Sequence, residues 1–174
     1  MAASNFDACF ALTVGVEGGY TTDPHDPGNW TLGAVGQGEC KGTKYGVSAA
    51  SYPNLDIANL TLSDARTIYR RDYWNKVQGD HLPVGVDAVV FDGAINSGPG
   101  ASEKWVQEAV GETPDGMIGP LTLAAIAAHD ARDVINKTCD ARLATMKTFQ
   151  NWPRYGDGWT NRVNNVRAHA LAML

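Results

Sequence analysis

Apolar residues recur at helical spacing along most of the chain. In residues 61–77, "TLSDARTIYRRDYWNKV", they follow every three or four positions behind Thr61 or Ser63, either of which can cap a helix. Residues 85–100 read as a mostly apolar helix between turns of proline and glycine. Further helices are predicted over 101–111, 120–130, roughly 131–150 and 159–173. The pattern predicts a mainly α domain.

Residues 20–46 interrupt the helical pattern. This segment contains Pro24, Pro27 and a series of glycines, which are typical of turns. The stretch "WTLGAVG" (30–36) alone has strand-like character, so the segment is either a long irregular loop or carries a small β-hairpin. A loop of this length inside a compact domain is usually functional.

A first helix is predicted over about residues 4–17, with Ser4 or Asn5 as its N-cap and glycines at 18 and 19 as its stop. Steps of four, three and four place on one face Phe6, Phe10, Thr13 and Glu17. A carboxyl on an apolar face loses solvation, which raises its pKa and suits it to act as a general acid. The alternative is that Glu17 is an ordinary helix-end residue that pairs locally.

A second carboxyl group follows in the proline-stiffened segment "DPHDPG". Asp26 lies nine positions after Glu17, so the two can approach each other. A buried acid paired with a solvated carboxylate is the arrangement that glycoside hydrolysis uses. Asp23 competes for this role, and either aspartate can instead be a turn residue that binds its own backbone.

Composition and charge exclude several classes of protein. The chain has 174 residues, 44% hydrophobic and 19% charged, which suits one globular domain, and its net charge of −5 gives no nucleic-acid signature.

The charge is unevenly distributed along the chain. The first 129 residues carry 7 Lys/Arg against 15 Asp/Glu, and the last 45 carry 7 Lys/Arg against 4 Asp/Glu. The basic C-terminal helix can face an anionic envelope or be a solvated helix face. The helix has an apolar stripe opposite Arg162 and Arg167 that either helps the protein reach such an envelope or packs on the domain. This stripe comprises Trp159, Val163, Val166 and Ala170.

The three cysteines and four histidines are widely spaced, without CxxC or HExxH, so neither a disulfide framework nor a metal site is predicted. The N-terminal segment has no basic region before its short apolar stretch, so we expect synthesis in the cytoplasm without a signal peptide.

The stretch "EGGYTTDPHDPG" followed by "TKYGVS" strongly resembles the glycoside hydrolase family 108 lysozymes, which are N-acetylmuramidases found as phage endolysins and bacterial wall-active proteins. The usual family pattern is an EGGY-type stretch, a DPxDPGG turn and a T-x-Y/W-G-I-S element. Residues 91–126 resemble the peptidoglycan-binding region that accompanies this domain. The resemblance covers roughly residues 6–170 and implies a lysozyme-like helical fold with the loop or hairpin near the active site.

The resemblance implies roles for individual residues. Glu17 matches the catalytic glutamate, which protonates the glycosidic oxygen, and Asp26 matches the second aspartate of the turn. Related phage-type lysozymes place eight residues between these two positions and add a threonine beside a bound water, and this chain keeps that spacing. Thr43 lies in the T-x-Y-G-x-S element and is favoured as the threonine, while Thr31 is nearer in sequence.

The chain departs from the family pattern after the turn. Asn29 stands where the family has its second glycine, and residues 30–42, "WTLGAVGQGECKG", are extra. We expect the extra residues to extend the loop or hairpin beside the active site. The predicted substrate contacts, which can also be packing or core residues, are Tyr20, Trp30, Tyr45 and Asn96.

The resemblance therefore implies a peptidoglycan hydrolase that cleaves the β-1,4 bond between N-acetylmuramic acid and N-acetylglucosamine, without a cofactor. Residues 1–90 are the predicted catalytic region and residues 91–174 the peptidoglycan-binding region, packed as one compact unit. We expect a monomeric endolysin that waits in the host cytoplasm until a holin releases it. A lytic transglycosylase and a non-catalytic wall-binding or secretion-accessory protein are the alternatives.

Overall fold

The computed structural model describes residues 5–15 and 19–174 and confirms a mainly α fold. In chain order the α-helices of these residues are α1 (Phe6–Thr13), α2 (Leu62–Tyr69), α3 (Val86–Ser97), α4 (Pro99–Ala109), α5 (Pro120–Ala128), α6 (Ala131–Met146) and α7 (Trp152–Ala172). The strands β1 (Thr43–Lys44) and β2 (Val47–Ser48) form an antiparallel hairpin, in which Thr43 pairs with Ser48.

The chain divides into two compact units. The larger unit comprises residues 1–9 and 70–174, and the smaller comprises residues 10–69. The predicted boundary between catalytic and peptidoglycan-binding regions, at residue 90, falls inside α3. That functional division stays a prediction.

The larger unit is a helical bundle around buried aromatic and aliphatic side chains. The rings of Phe6, Trp74 and Phe91 meet edge to face, with centroids 5.3–5.8 Å apart. Such contacts add to the large apolar area that aromatic side chains bury. α3 is buried along most of its length, as its nearly continuous apolar sequence predicts.

One carboxylate joins three helices of this unit. Asp92 of α3 is fully buried, and its Oδ2 accepts a 2.6 Å hydrogen bond from Arg142 of α6. Its Oδ1 accepts one of 2.7 Å from Arg162 of α7. A buried carboxylate must be paired in this way, because its transfer from water to an apolar interior is otherwise very costly.

The C-terminal helix is longer than its sequence predicts. α7 begins at Trp152, seven residues before the predicted start at Trp159, and α6 ends at Met146. Val163, Val166 and Ala170 of the apolar stripe are buried, so the stripe packs within its unit. Arg162 binds Asp92, and Arg167 binds Asp140 at 2.6 Å. Both arginines are thus engaged in ion pairs, and contact of this helix with an anionic envelope stays a prediction.

The smaller unit has its own apolar core. Phe10 and Tyr69 pack edge to face with centroids 5.6 Å apart, and Val47, Ile57 and Leu60 are buried in the same unit. The Tyr69 hydroxyl donates a 3.2 Å hydrogen bond to the carbonyl of Tyr45, at the tip of the hairpin. This bond ties the hairpin to α2.

The hairpin lies at residues 43–48, not at the predicted "WTLGAVG". Tyr45 and Gly46 both have positive φ, of 50° and 74°. Two positive values in a two-residue loop define a type I′ turn, whose twist matches that of paired strands. In the predicted stretch, Gly33 and Gly36 also have positive φ, but they form successive turns and leave Trp30 in an isolated bridge with Cys40.

The first helix ends earlier than its sequence predicts. α1 stops at Thr13, and Gly15 adopts a left-handed φ of 74° while its N–H bonds to the carbonyl of Phe10. This is the usual way in which a glycine ends a helix. Glu17 lies outside the described residues, so its placement on the apolar face stays a prediction.

α2 begins with a reciprocal capping arrangement. The Thr61 hydroxyl accepts a bond from the N–H of Asp64, and the Asp64 carboxylate accepts one from the N–H of Thr61. This is a capping box, so Thr61 rather than Ser63 is the cap. The Thr61 hydroxyl also donates a 2.6 Å bond to the Asp64 carboxylate, and this bond, together with that from the Thr61 N–H, lowers the pKa of Asp64.

We expect Thr61→Ala to lower the free energy of unfolding by about 1 kcal/mol, because the first N–H groups of α2 lose their acceptor. Urea unfolding followed by circular dichroism measures this change. Ser63→Ala is the matched control on the same turn and should leave stability within about 0.5 kcal/mol of wild type. Equal losses in the two variants would contradict the assignment of Thr61 as the cap.

The cysteines of the described residues are free thiols, and Cys9 and Cys139 are buried. Burial raises the pKa of Cys139 to about 11 and raises that of Cys9 further. Within the described ranges, no helix is both long and apolar enough to cross a membrane.

Candidate active site

The predicted catalytic segment folds into a loop that returns on itself. Glu17 lies outside the described residues. Two residues after the undescribed segment, Tyr20 leads into Thr21, which exchanges two backbone hydrogen bonds of 2.9 Å with Thr43. The chain that follows Glu17 is therefore joined directly to the first strand of the hairpin, where Thr43 lies.

The two aspartates of the DPxDPG turn both bind their own backbone. Asp23 Oδ1 accepts a 2.9 Å bond from the N–H of His25, and Asp26 Oδ1 accepts a 2.8 Å bond from the N–H of Gly28. Asp26 thereby caps a short 3₁₀ turn over Pro27–Asn29. Its side chain is exposed and its Oδ2 can accept further hydrogen bonds, as a carboxylate has about four acceptor positions. The structural role is thus observed for both residues, and the catalytic role of Asp26 stays a prediction.

Asn29 connects this turn to Thr43. Its side chain is fully buried, its Nδ2 donates a 2.9 Å bond to the carbonyl of Asp23, and its Oδ1 accepts a 2.7 Å bond from the Thr43 hydroxyl. Its backbone carbonyl also accepts a 3.0 Å bond from the N–H of Gly42. One buried amide therefore fixes the aspartate turn and the predicted threonine relative to each other.

Thr31, the other candidate for the third catalytic position, closes the extra loop. Its hydroxyl accepts a 2.9 Å bond from the N–H of Glu39, and its own N–H donates a 3.0 Å bond to the carbonyl of Glu39. Trp30 and Cys40 form the antiparallel bridge at the base of the same loop. The Thr31 hydroxyl is thus hydrogen-bonded within the loop, whereas the Thr43 hydroxyl is hydrogen-bonded to Asn29 at the end of the aspartate turn. This difference favours Thr43 as the third catalytic residue.

Tyr20 borders an open cavity of about 360 Å³ in the smaller unit. Its ring is 44% exposed, and its hydroxyl donates a 3.1 Å bond to the carbonyl of Lys41. The other side chains around the cavity include Lys41, Asp56 and Ile57. A flat, exposed ring beside polar groups is suited to bind a sugar, so the prediction for Tyr20 remains open to test.

The side chains of Trp30 and Tyr45 each have an identified neighbour. The Trp30 indole donates a 2.9 Å bond to the carbonyl of Pro24, so its ring lies against the aspartate turn. The Tyr45 ring is half-exposed at the hairpin tip, and the Lys44 ammonium lies 5.7 Å from its centre. Both rings stay predicted sugar contacts.

Asn96 belongs to the larger unit. Its side-chain oxygen accepts a 2.9 Å bond from Arg142, the same guanidinium that binds Asp92. The sequence places Asp92 and Asn96 on one face of a helix, and the structure shows that both bind one arginine. Asp92 therefore closes helix packing, while Asn96 is exposed and stays a predicted substrate contact.

This arrangement provides oxygen acceptors and no metal-binding cluster. Among residues 5–15 and 19–174, no group of three or more His, Cys, Asp or Glu side chains is placed to hold a metal ion. Asp26 and Thr43 offer a carboxylate and a hydroxyl, which can bind water or face a positively charged sugar.

Comparison with known proteins identifies the family. The model of the glycosyl hydrolase 108 family matches residues 10–98, just over half of the chain. The chain belongs to the glycosyl hydrolase 108 family. It is also similar to the solved structure of SagA from Brucella abortus, with a TM-score of 0.81 and 39% identity over 97% of this chain and 95% of that chain. No curated protein matches it significantly.

Family membership makes the chain a glycoside hydrolase, and peptidoglycan is a substrate consistent with this family. The matched range contains the predicted catalytic residues and the hairpin. The sequence analysis assigned no role to Asn29, although the structure places it between the aspartate turn and Thr43. The signal in the sequence was that Asn29 stands where the family pattern has a glycine.

Proposed function

We propose that the protein is an N-acetylmuramidase that hydrolyses the β-1,4 bond between N-acetylmuramic acid and N-acetylglucosamine. Glu17 gives a proton to the glycosidic oxygen as the bond from C1 to that oxygen breaks. Asp26 and Thr43 position a water molecule or stabilise the positive charge that develops on the sugar. Overall, the hydroxyl of the water ends on C1, and its remaining proton returns to the carboxyl groups.

The observation that carries this proposal is the short connection between Asp26 and Thr43 through Asn29. Asp26 caps the turn that ends in Asn29, and Asn29 accepts the Thr43 hydrogen bond at 2.7 Å. Asn29 and Thr43 are 14 residues apart in sequence, and the fold brings them together at the end of the aspartate turn. Glycoside hydrolysis uses a second carboxyl group together with the acid, and Asp26 is the candidate for that role.

Mass spectrometry of the muropeptides released from purified peptidoglycan tests the proposal. We expect wild type to release fragments with reducing N-acetylmuramic acid ends, and Glu17→Gln to release almost none. Fragments with 1,6-anhydro-muramic ends would identify a lytic transglycosylase instead. Binding to the polymer without any cleavage would identify a non-catalytic wall-binding protein.

At the cellular level, we propose that the protein is a monomeric phage endolysin that reaches the cell wall from the host cytoplasm. Expression in a bacterium with and without a membrane-permeabilising holin tests this role, because lysis should require the holin.

A further inference from the structure

The hydrogen bonds of Asn29 determine which way its amide faces. The carbonyl oxygen of Asp23 can only accept a hydrogen bond, so the atom of Asn29 that lies 2.9 Å from it must be the NH₂ nitrogen. The amide oxygen therefore faces the Thr43 hydroxyl, 2.7 Å away. This assignment follows from the bonding partners and needs no observed hydrogen atom.

The orientation of Asn29 in turn determines the direction of the Thr43 hydrogen bond. An amide oxygen is an acceptor only, and a hydroxyl has a single proton, so the Thr43 proton points to Asn29. The Thr43 oxygen keeps its lone pairs, and any further partner must donate to it. Thr43 therefore presents an acceptor to its surroundings.

We propose that Asn29 is a positioning residue that fixes the Thr43 hydroxyl as a hydrogen-bond acceptor for the water that attacks the sugar. A water that donates one proton to Thr43 has its oxygen lone pairs directed away from Thr43, where they can reach C1 of the sugar. This inference rests on the proposed muramidase function. It concerns a feature of this chain, because the family pattern has at this position a glycine, which offers no side-chain acceptor.

The burial of Asn29 supports its role in holding the Thr43 hydroxyl in one orientation. The side chain has no exposed surface, although it lies in a segment whose neighbours, Asp26 and Pro27, are exposed. Burying an amide is costly unless its groups are paired, and here both ends of the amide are paired. The pairing holds the hydroxyl in one orientation instead of letting it rotate between several acceptors.

The decisive experiment compares Asn29→Gly in wild type and in a Thr43→Val background. We expect Asn29→Gly to lower kcat on purified peptidoglycan by about tenfold, the effect of one lost hydrogen bond in the transition state. In the Thr43→Val background, where there is no hydroxyl to orient, the same change should lower kcat by less than about twofold. Equal losses in both backgrounds, or no loss in wild type, would overturn the inference.

A second variant separates positioning from stability. In Asn29→Asp a side-chain oxygen still accepts from Thr43, but the donor to the Asp23 carbonyl is lost. We expect this variant to have a lower thermal midpoint and yet to keep kcat within about twofold of wild type when assayed below that midpoint. A loss of kcat as large as that of Asn29→Gly would overturn the inference, because the acceptor for the Thr43 hydroxyl is retained in this variant.

Wild type and Glu17→Gln in the same assay distinguish the two proposals. If wild type does not cleave peptidoglycan, the muramidase proposal fails and this inference fails with it. If wild type is active and Glu17→Gln is not, but Thr43→Val is as active as wild type, the muramidase proposal stands and the inference about Asn29 is overturned.

Discussion

Asp92→Asn should lower the free energy of unfolding by about 3–5 kcal/mol, because it leaves a buried guanidinium without its counter-charge. The Arg142 side chain is only 3% exposed, so water cannot solvate its charge once the Asp92 carboxylate is removed. Urea unfolding at neutral pH, followed by far-ultraviolet circular dichroism, measures the loss. The change affects three helices at once, and we expect the variant to be close to its folding limit.

The control for Asp92 is the surface pair of Asp140 and Arg167, which joins α6 to α7 as the Asp92 cluster also does. Asp140 is 66% exposed, so Asp140→Asn should cost less than about 1 kcal/mol. A double-mutant cycle of Asp92→Asn and Arg142→Met isolates the coupling between the two residues. Similar losses for Asp92→Asn and Asp140→Asn would show that burial does not strengthen this pairing.

Glu17→Gln should lower kcat/KM on peptidoglycan by about 10²–10⁴-fold, which is the usual contribution of a general acid. Glutamine has nearly the same size as glutamate but has no proton to give to the leaving oxygen. The release of reducing ends from purified peptidoglycan measures the rate. The thermal midpoint should change little, so that the loss reports chemistry and not folding.

Glu39 provides the matched control for Glu17. It is an exposed glutamate of the same unit, on the extra loop, where its carboxylate lies 3.4 Å from the Lys41 ammonium. Glu39→Gln should keep kcat/KM within about twofold of wild type, since exposed pairs of this kind contribute little. Retained activity in Glu17→Gln would mean that another residue supplies the proton.

The sequence predicted those elements whose signals are local. Pro120 starts α5 and Thr61 caps α2, because each signal acts on neighbouring backbone groups. The predicted position of the hairpin was wrong because the sequence analysis relied on strand-like residues, and the geometry of the turn determines where a hairpin forms. Its position depends on the left-handed pair Tyr45 and Gly46, and tyrosine at the first position is not a residue that usually predicts such a turn.

Several features that the sequence did not predict depend on distant partners or on one backbone conformation. Asp92 binds arginines 50 and 70 residues away, and no spacing rule along one helix identifies them. The predicted end of α1 was wrong because the left-handed conformation of Gly15 follows a helix that already ends at Thr13. The role of Asn29 depends on a hydroxyl 14 residues away, which only the folded loop brings close.

The extra loop also explains how the chain can be longer than the family pattern and keep the same site. The carbonyl of Asn29 and the N–H of Gly42, which border the inserted residues, are hydrogen-bonded at 3.0 Å. Between them, the bonds of Thr31 with Glu39 and the bridge of Trp30 with Cys40 are internal to the loop. Asn29 and Gly42 are therefore held side by side by the backbone, so the loop between them begins and ends at one point of the fold.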